Sequence, residues 1–442
     1  MAAAPEAAGG WAGAGGRRFQ AYARRLSDSY RGFFLAAACM DLGFGLFVFL
    51  FNLYLTDLHF DERFIGRVAA CFALGNVAGT VPAMMAARRY GLRPLLLFTF
   101  GAAPAFAALR LFLLWEPAQI VLALLTGAAL CGWPICFSPA IAQLTDEENR
   151  AAGFSVAFAA GIGLGTLAGI AGGYLPELLH ASGLHFSLVE GIRAVLLLAC
   201  AVVAVGMWPL SRLSLERSAQ PRSARRRIFH PYLLRFLPAF VLWNAVTGSF
   251  PVFGAVYLQK VLGIPLGRVG AVFAASQLTQ FIAVLGAPLL FRRTGITSGV
   301  SMAQLSTAIL LAAIAGTRLA PAAVCLYVFY FAAQFMCGPG IYQMLMEQIP
   351  EAERSSASAL QNLSGALCQA GTAAVTGACI VAFGYRTLLL ANAAVAVVAS
   401  LLFAWLGLQT QIAGKGAARG DATAGCDAAP QEAEWMLQKA AE

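Results

Sequence analysis

Long apolar runs recur along this chain, and they constrain its fold more than any other feature. Each run holds about 20 residues with few or no charges, and such a run crosses a hydrocarbon core as a helix. Charged residues make up only 12% of the sequence, about half of their share in soluble domains. We therefore predict an all-α membrane protein with twelve spans, at residues 33–55, 66–87, 94–114, 118–142, 153–175, 191–209, 236–258, 268–290, 299–317, 321–346, 356–382 and 386–408.

A short basic turn occurs twice between these runs, first as Arg88-Arg89-Tyr90-Gly91-Leu92 and then as Arg292-Arg293-Thr294-Gly295-Ile296. The two copies lie 204 residues apart. The same offset relates Gly66 to Gly270 and Arg150 to Arg354. An offset kept over such a distance indicates a duplicated unit. We therefore predict two pseudo-symmetric bundles of six helices each.

The runs divide the chain into five segments. Residues 33–210 and 233–408 are the predicted six-helix bundles, and residues 211–232 are a basic cytoplasmic linker between them. Residues 1–32 lack the apolar core of a signal peptide, so we predict a cytoplasmic tail. Residues 409–442 are rich in Ala and Gly with mixed charge, which favours a disordered cytoplasmic tail with one short helix around Glu432 to Lys439.

The distribution of basic residues predicts the orientation in the membrane. With the N-terminus inside, nineteen Lys and Arg residues up to residue 408 fall on the cytoplasmic side and eight fall on the outer side. Both termini are therefore predicted to be cytoplasmic, in a multi-pass protein of the bacterial inner membrane. This topology and the attraction of anionic lipid headgroups account for the net charge of +9, so no nucleic-acid partner is needed.

The loop between the second and third runs resembles a family motif. Aligned on Gly91, residues 84–93 keep the Arg-x-Gly core of the pattern Gly-x-Leu-Ala-Asp-Arg-x-Gly-Arg-Arg, with Arg88 at the acidic position. With the twelve spans and the repeat, the chain resembles the major facilitator superfamily over about residues 33–408. The resemblance implies alternating access without a cofactor, and cytoplasmic gating loops that contain Arg88, Arg89, Gly91, Arg93, Arg150, Arg292, Arg293, Gly295 and Arg354.

The fifth run carries glycines at every fourth position, namely Gly161, Gly165, Gly169 and Gly173. Such a ridge without side chains favours close approach of another helix. It also resembles the glycine-rich fifth-helix motif of proton-coupled drug antiporters, although the proline of that motif is absent. Helix packing is the interpretation of this ridge that we favour, and proton-coupled export is the second interpretation.

Asp41 is the one acidic residue deep inside a predicted span. An ionisable group in the membrane interior costs at least about 2.5 kcal/mol on insertion scales, which suggests a function. One interpretation is a structural carboxylate that pairs with a neighbouring helix. The other is a proton-coupling group, because burial favours the neutral acid and hydration favours the carboxylate.

Amide and aromatic side chains supply the remaining polar content of the predicted spans. Each amide alone is explained as a hydrogen bond between helices, worth roughly 0.6 kcal/mol. Together they predict an aromatic, amide-rich substrate cavity near Asp41, formed by Asn52, Asn76, Trp243, Asn244, Gln277, Gln280, Tyr330 and Gln334.

No Lys or Arg occupies the middle of a predicted span, which favours a neutral or cationic substrate. Arg110 and Arg193 are expected near outer helix ends, within reach of the interface.

Enzyme chemistry finds little support in the sequence. The ten cysteines are scattered singly, with no Cys or His spacing typical of a metal site. We therefore predict no metal, no cofactor and no catalytic residues, in a monomeric secondary transporter. The favoured function is proton-coupled efflux of a neutral or cationic amphipathic, drug-like molecule. The alternatives are a nutrient uptake symporter and a lipid translocator or sensor on the same fold.

Overall fold

The computed structural model describes residues 28–181, 187–215, 231–317 and 319–439. Most of the predicted N-terminal tail and of the linker lies outside these residues. The described residues form helices and contain no strand, as predicted. The N-terminal half contains α1 Asp28–Asp57, α2 Glu62–Tyr90, α3 Leu92–Leu109, α4 in two segments Glu116–Leu130 and Gly132–Leu144, α5 Glu147–Ala181, and α6 Leu188–Val205 continued by Met207–Ser211.

The C-terminal half repeats this order. It contains α7 Pro231–Val256 with a π-helical turn Tyr257–Val261, α8 Leu266–Thr294, α9 Ile296–Gly316 and α10 Ala320–Gln348. The helical stretch Glu351–Lys439 is broken at Gly384, where φ is 77°, so we divide it into α11 (351–383) and α12 (385–439).

The number of spans agrees with the sequence prediction. Eleven helical stretches of the described residues are long and apolar enough to cross a membrane, and the last of them covers Ala357–Gln409. A straight helix of that length would reach roughly 80 Å, more than twice the hydrocarbon thickness. With the break at Gly384 this stretch supplies two spans, which makes twelve.

The helical backbone of α12 continues to Lys439, whereas the sequence favoured a disordered tail after residue 408. Alanine has the highest helix propensity of all residues, which gives a physical reason for the helical backbone of this Ala-rich segment. The side chains beyond Gln409 lie outside the described residues.

The two basic turns have the same backbone geometry. Gly91 ends α2 with φ 98°, and its N–H donates to the Ala87 carbonyl oxygen at 3.0 Å. Gly295 ends α8 with φ 81°, and its N–H donates to the Phe291 carbonyl oxygen at 2.9 Å. Positive φ strongly favours glycine, so each turn needs its glycine to start the next helix at once.

Two helix pairs hold the halves together, α2 with α11 and α5 with α8. Where α2 meets α11, a Cβ on Gly66 would lie 3.2 Å from Gly377 Cα. Where α5 meets α8, a Cβ on Gly270 would lie 2.8 Å from Gly173 Cα. Each residue of the first pair is 204 positions from a residue of the second. The offset found in the sequence therefore recurs in the packing between the halves.

Candidate substrate cavity

A cavity of about 480 Å³ lies between the two halves. This central cavity is lined by residues of α1, α2, α3, α4 and α6 on one side, and of α7, α8, α10 and α11 on the other. Its volume falls within the range of sites for small organic ligands. Most of its wall is apolar, with aromatic rings from Phe44, Phe47, Phe51, Phe72 and Phe273.

Hydrogen bonds close the protein on the side that the arginine distribution predicts to be outer. Lys260 Nζ donates to Glu62 Oε1 at 2.6 Å, across the two halves. The Gly267 N–H donates to Glu177 Oε1 at 2.8 Å, and Asn52 Nδ2 donates to the Val252 carbonyl oxygen at 2.8 Å. We interpret this conformation as closed to the outside, with the central cavity below the closure.

Asp41 lies on α1 against the glycine ridge of α5. A Cβ on Gly161 would lie 3.0 Å from Asp41 Oδ2, so the missing side chain makes room for the carboxylate. Among the described residues, no Lys, Arg or His lies within ion-pair distance of Asp41. The structural interpretation, a carboxylate that pairs with a neighbouring helix, therefore gains no ion pair from the described residues. Asp41 is half-buried and lies beside the lining of the central cavity.

One turn further along α5, the other half of the protein approaches the same ridge. Gln277 Nε2 of α8 lies 3.3 Å from the position that a Cβ on Gly165 would take. Beyond it, Gly169 and Gly173 pack directly against α8. The glycine ridge is thus a packing surface for α8, as we expected first from its spacing.

The C-terminal half holds an amide pair next to Ala245, the residue that corresponds to Asp41 at the offset of 204. Asn244 Oδ1 accepts a hydrogen bond from Gln369 Nε2 at 3.0 Å, and Asn244 Nδ2 donates to the Phe240 carbonyl oxygen. Gly365 faces Asn244 as Gly161 faces Asp41. The two glycines are 204 residues apart, whereas Asp41 and Asn244 are 203 apart. Asn244 thus shares a hydrogen bond with Gln369, whereas Asp41 has no hydrogen bond among the described residues.

The other predicted cavity residues fall into two groups. Asn52 and Asn76 line the central cavity, as do Thr247 and Gln369. The sequence reasoning did not select Gln369. Trp243, Tyr330 and Gln334 are buried in the C-terminal half, outside the lining. Tyr330 packs among aromatic rings, including Phe250 at a centroid distance of 5.7 Å. Gln280, half-buried, lies on α8 one turn beyond Gln277.

Arg110 lies where the sequence reasoning did not expect it. The residue follows α3 and was expected to reach the interface, yet only 3% of it is exposed and it lines the central cavity. Its guanidinium carbon lies 4.0 Å from the centroid of the Phe51 ring. The prediction failed because it used position along the helix alone. Gln119 forms hydrogen bonds with Arg110, but no sequence motif around it predicts this contact.

The sequence-family model of the Major Facilitator Superfamily matches residues 33–373, which is more than half of the chain. This protein belongs to the major facilitator superfamily. Proteins of this superfamily are membrane transporters and not enzymes. No curated protein matches the chain in sequence.

Solved structures of other superfamily members share the fold at low sequence identity. The nucleoside transporter NupG aligns with a TM-score of 0.70 at 14% identity, over 86% of this chain and 99% of that one. A D-xylose-proton symporter aligns with a TM-score of 0.69 at 15% identity, over 85% of this chain and 96% of that one. The third structure is a bacterial homolog of the human lysosomal transporter Spinster in an inward-facing and unoccupied conformation. It aligns with a TM-score of 0.69 at 14% identity, over 86% of this chain and 97% of that one.

The predicted gating residues of this superfamily member lie at helix ends. Arg88 and Arg89 are in the last turn of α2, and Arg292 and Arg293 are in the last turn of α8, where cations are stabilised by the helix dipole. Arg93 donates to the Ser211 carbonyl oxygen.

The pair Arg150 and Arg354 differs in its contacts. Arg354 Nε donates to the carbonyl oxygens of Met346 and Ile349, at 3.1 and 3.2 Å, and so caps the end of α10. Arg150 Nε is buried without a hydrogen-bond partner among the described residues.

Proposed function

We propose that this transporter couples proton movement to the movement of an amphipathic organic molecule, with Asp41 as the proton-carrying group. The observation that carries the proposal is the carboxylate of Asp41 inside a span, without an ion pair among the described residues. The charged residues of the helices packed against it lie near the helix ends, and they include Arg150 and Glu177 on α5 and Glu190 and Arg193 on α6. A carboxylate in this setting favours the protonated form when water is excluded and the charged form when water enters.

The position of Asp41 suggests how a proton could influence the conformation. Asp41 and Gln277 face successive turns of the same glycine ridge, one from each half of the protein. Opening on the cytoplasmic side hydrates this region, and closure there would exclude water from it. A group whose proton affinity depends on the open side links the proton gradient to the conformational equilibrium. The substrate, bound in the adjacent central cavity, biases the same equilibrium.

Export is the direction that we propose first, because α5 keeps Gly172-Gly173 of the antiporter motif. The preference for a neutral or cationic substrate rested on the lack of a Lys or Arg in the middle of any predicted span, with Arg110 expected at the interface. The burial of Arg110 in the cavity wall weakens that support. We further propose a monomer in the bacterial inner membrane with both termini in the cytoplasm.

Proton-driven uptake is the second candidate. It is favoured by the structural likeness to a D-xylose-proton symporter, which covers 85% of this chain. In that case Asp41 would release its proton to the cytoplasm together with the substrate, rather than in exchange for it.

The proposal is tested with the full chain in proteoliposomes that carry an internal pH dye. A panel of amphipathic organic acids, amides and amines is applied with and without an imposed proton gradient. Accumulation driven by the gradient, with proton flux in the opposite direction to the substrate, supports export by exchange. Flux in the same direction supports uptake, and transport that ignores the gradient contradicts proton coupling.

A further inference from the structure

Arg110 presents a buried cation to the central cavity. Only 3% of the residue is exposed, and its guanidinium lies over the ring of Phe51 on the cavity wall. A second ring, Phe47, lies 6.0 Å from the guanidinium carbon. Arginine stacks on aromatic faces in this way while its terminal nitrogens stay free to donate.

A rigid polar frame holds this side chain in place. Gln119 at the start of α4 is fully buried, and its Oε1 accepts from Arg110 Nε at 3.3 Å. Its Nε2 donates to the carbonyl oxygens of Arg110 and Leu113. The glutamine therefore ties both the backbone and the side chain of Arg110 to α4. The two terminal guanidinium nitrogens have no hydrogen bond within the described residues.

The carboxylates near the outer end of this half contact other groups, and none of them pairs with Arg110. Glu62 pairs with Lys260, Glu116 with Arg67, and Glu177 accepts from the Gly267 N–H. Asp57 accepts from Gln259, Asp61 caps α2 at the Phe64 N–H, and Glu190 caps α6 at Ser187. Residues 182–186, outside the described residues, contain no acidic residue. No carboxylate of the described residues therefore forms an ion pair with Arg110.

A buried charge without a partner is costly, and a ligand that brings the opposite charge removes that cost. We propose that the central cavity binds an amphipathic monocarboxylate, with the carboxylate on the terminal nitrogens of Arg110 and the apolar body against the aromatic wall. One cation matches one negative charge, so dicarboxylates and phosphate monoesters fit less well. The inference rests on the proposed transport function, and it assigns the substrate class to the same cavity.

Matched probes test the charge preference by equilibrium binding to the purified full chain. One set is phenylbutyrate, phenylbutanamide and phenylbutylamine, and the other is naphthylacetate, naphthylacetamide and naphthylethylamine. We expect the carboxylate to bind about tenfold or more tightly than its amide, as a hydrogen-bonded charge pair contributes. Arg110→Gln should abolish this preference, and Arg110→Lys should reduce it because lysine lacks the bidentate fork. Arg193→Gln is the matched control, since Arg193 stacks on Phe112 outside the cavity lining and should keep the preference.

A second measurement does not depend on how well the variants fold. Phenylglyoxal modifies guanidinium groups, and peptide mass spectrometry reports its rate at Arg110 in the parent protein. Phenylbutyrate should slow that modification, and phenylbutanamide should not. The proposal is overturned if neither carboxylate binds better than its amide, including the case of no binding, or if Arg110 is not protected.

These outcomes are separable from those of the proposed proton coupling. Binding at equilibrium needs no gradient, so Asp41→Asn should keep the carboxylate preference. In the parent protein, a carboxylate preference without gradient-driven transport would contradict the proposed proton coupling alone.

Discussion

Gly66 of α2 packs against Gly377 of α11 so closely that a Cβ on Gly377 would lie 2.2 Å from the Glu62 carbonyl oxygen. The equivalent contact of Gly270 with Gly173 joins α8 to α5. These two contacts flank the hydrogen bonds that close the outer side. In an alternating-access transporter they must separate when the cavity opens to the outside.

Substitution at this contact should therefore shift the protein away from the closed outer side. Gly377→Ala places a methyl group against backbone atoms that cannot move aside, which favours separation of α2 from α11. Spin labels at Trp115 and Leu319, exposed near the outer ends of the two halves, should report a longer distance by electron resonance. The control is Gly371→Ala on the same helix, where a Cβ meets nothing within 4 Å. Equal distances in both variants would refute the role of the contact.

The ion pair between Lys260 and Glu62 should contribute a smaller bias to the same equilibrium. Half of the Lys260 side chain is exposed, so solvent screening limits the pair to about 1 kcal/mol or less. Lys260→Met should thus raise the outward-open population by up to about fivefold, measured with the same spin labels. The exchange of both residues, Lys260→Glu with Glu62→Lys, should recover part of the loss. If the exchange does not restore any closure of the outer side, the effect of Lys260→Met comes from packing and not from charge.

The two glycine caps should be equally sensitive to substitution. Gly91→Ala and Gly295→Ala each force a side chain into a positive-φ conformation, at a cost of about 1–3 kcal/mol. Both variants should lower the thermal unfolding temperature in detergent by similar amounts. Gly286→Ala, inside α8 with open space around it, should be neutral or slightly stabilising. A large drop for one cap only would contradict the equivalence of the two turns.

The sequence was a reliable guide to the helices and to the repeat. Apolar runs near 20 residues locate spans because the bilayer leaves few other solutions, and the offset of 204 correctly paired Gly91 with Gly295. The cavity was harder to predict. The burial of Arg110 and the packing of Tyr330 among aromatic rings depend on how each helix is rotated about its own axis relative to its neighbours. Amphipathic periodicity encodes that rotation only weakly, because lipid and protein interior are both apolar.

The helix that bears Asp41 supplies its own control. Asp28 lies at the predicted cytoplasmic start of α1, with its side chain almost fully exposed and paired with Arg31. Asp28→Asn and Asp41→Asn remove one carboxylate each from the same helix. Only Asp41 lies against the glycine ridge between the halves, so only its loss should affect proton coupling.

The most direct test of the account compares parent, Asp28→Asn and Asp41→Asn proteins in proteoliposomes with an imposed pH gradient. The measured quantity is the accumulation of a transported probe as the pH on the predicted outer side is varied. We predict that Asp41→Asn inserts and exchanges the probe at equal concentrations, yet neither accumulates it against a gradient nor responds to pH. The parent and Asp28→Asn should do both. Gradient-driven accumulation by Asp41→Asn equal to the parent at every pH would contradict the assignment of Asp41 as the proton-carrying group.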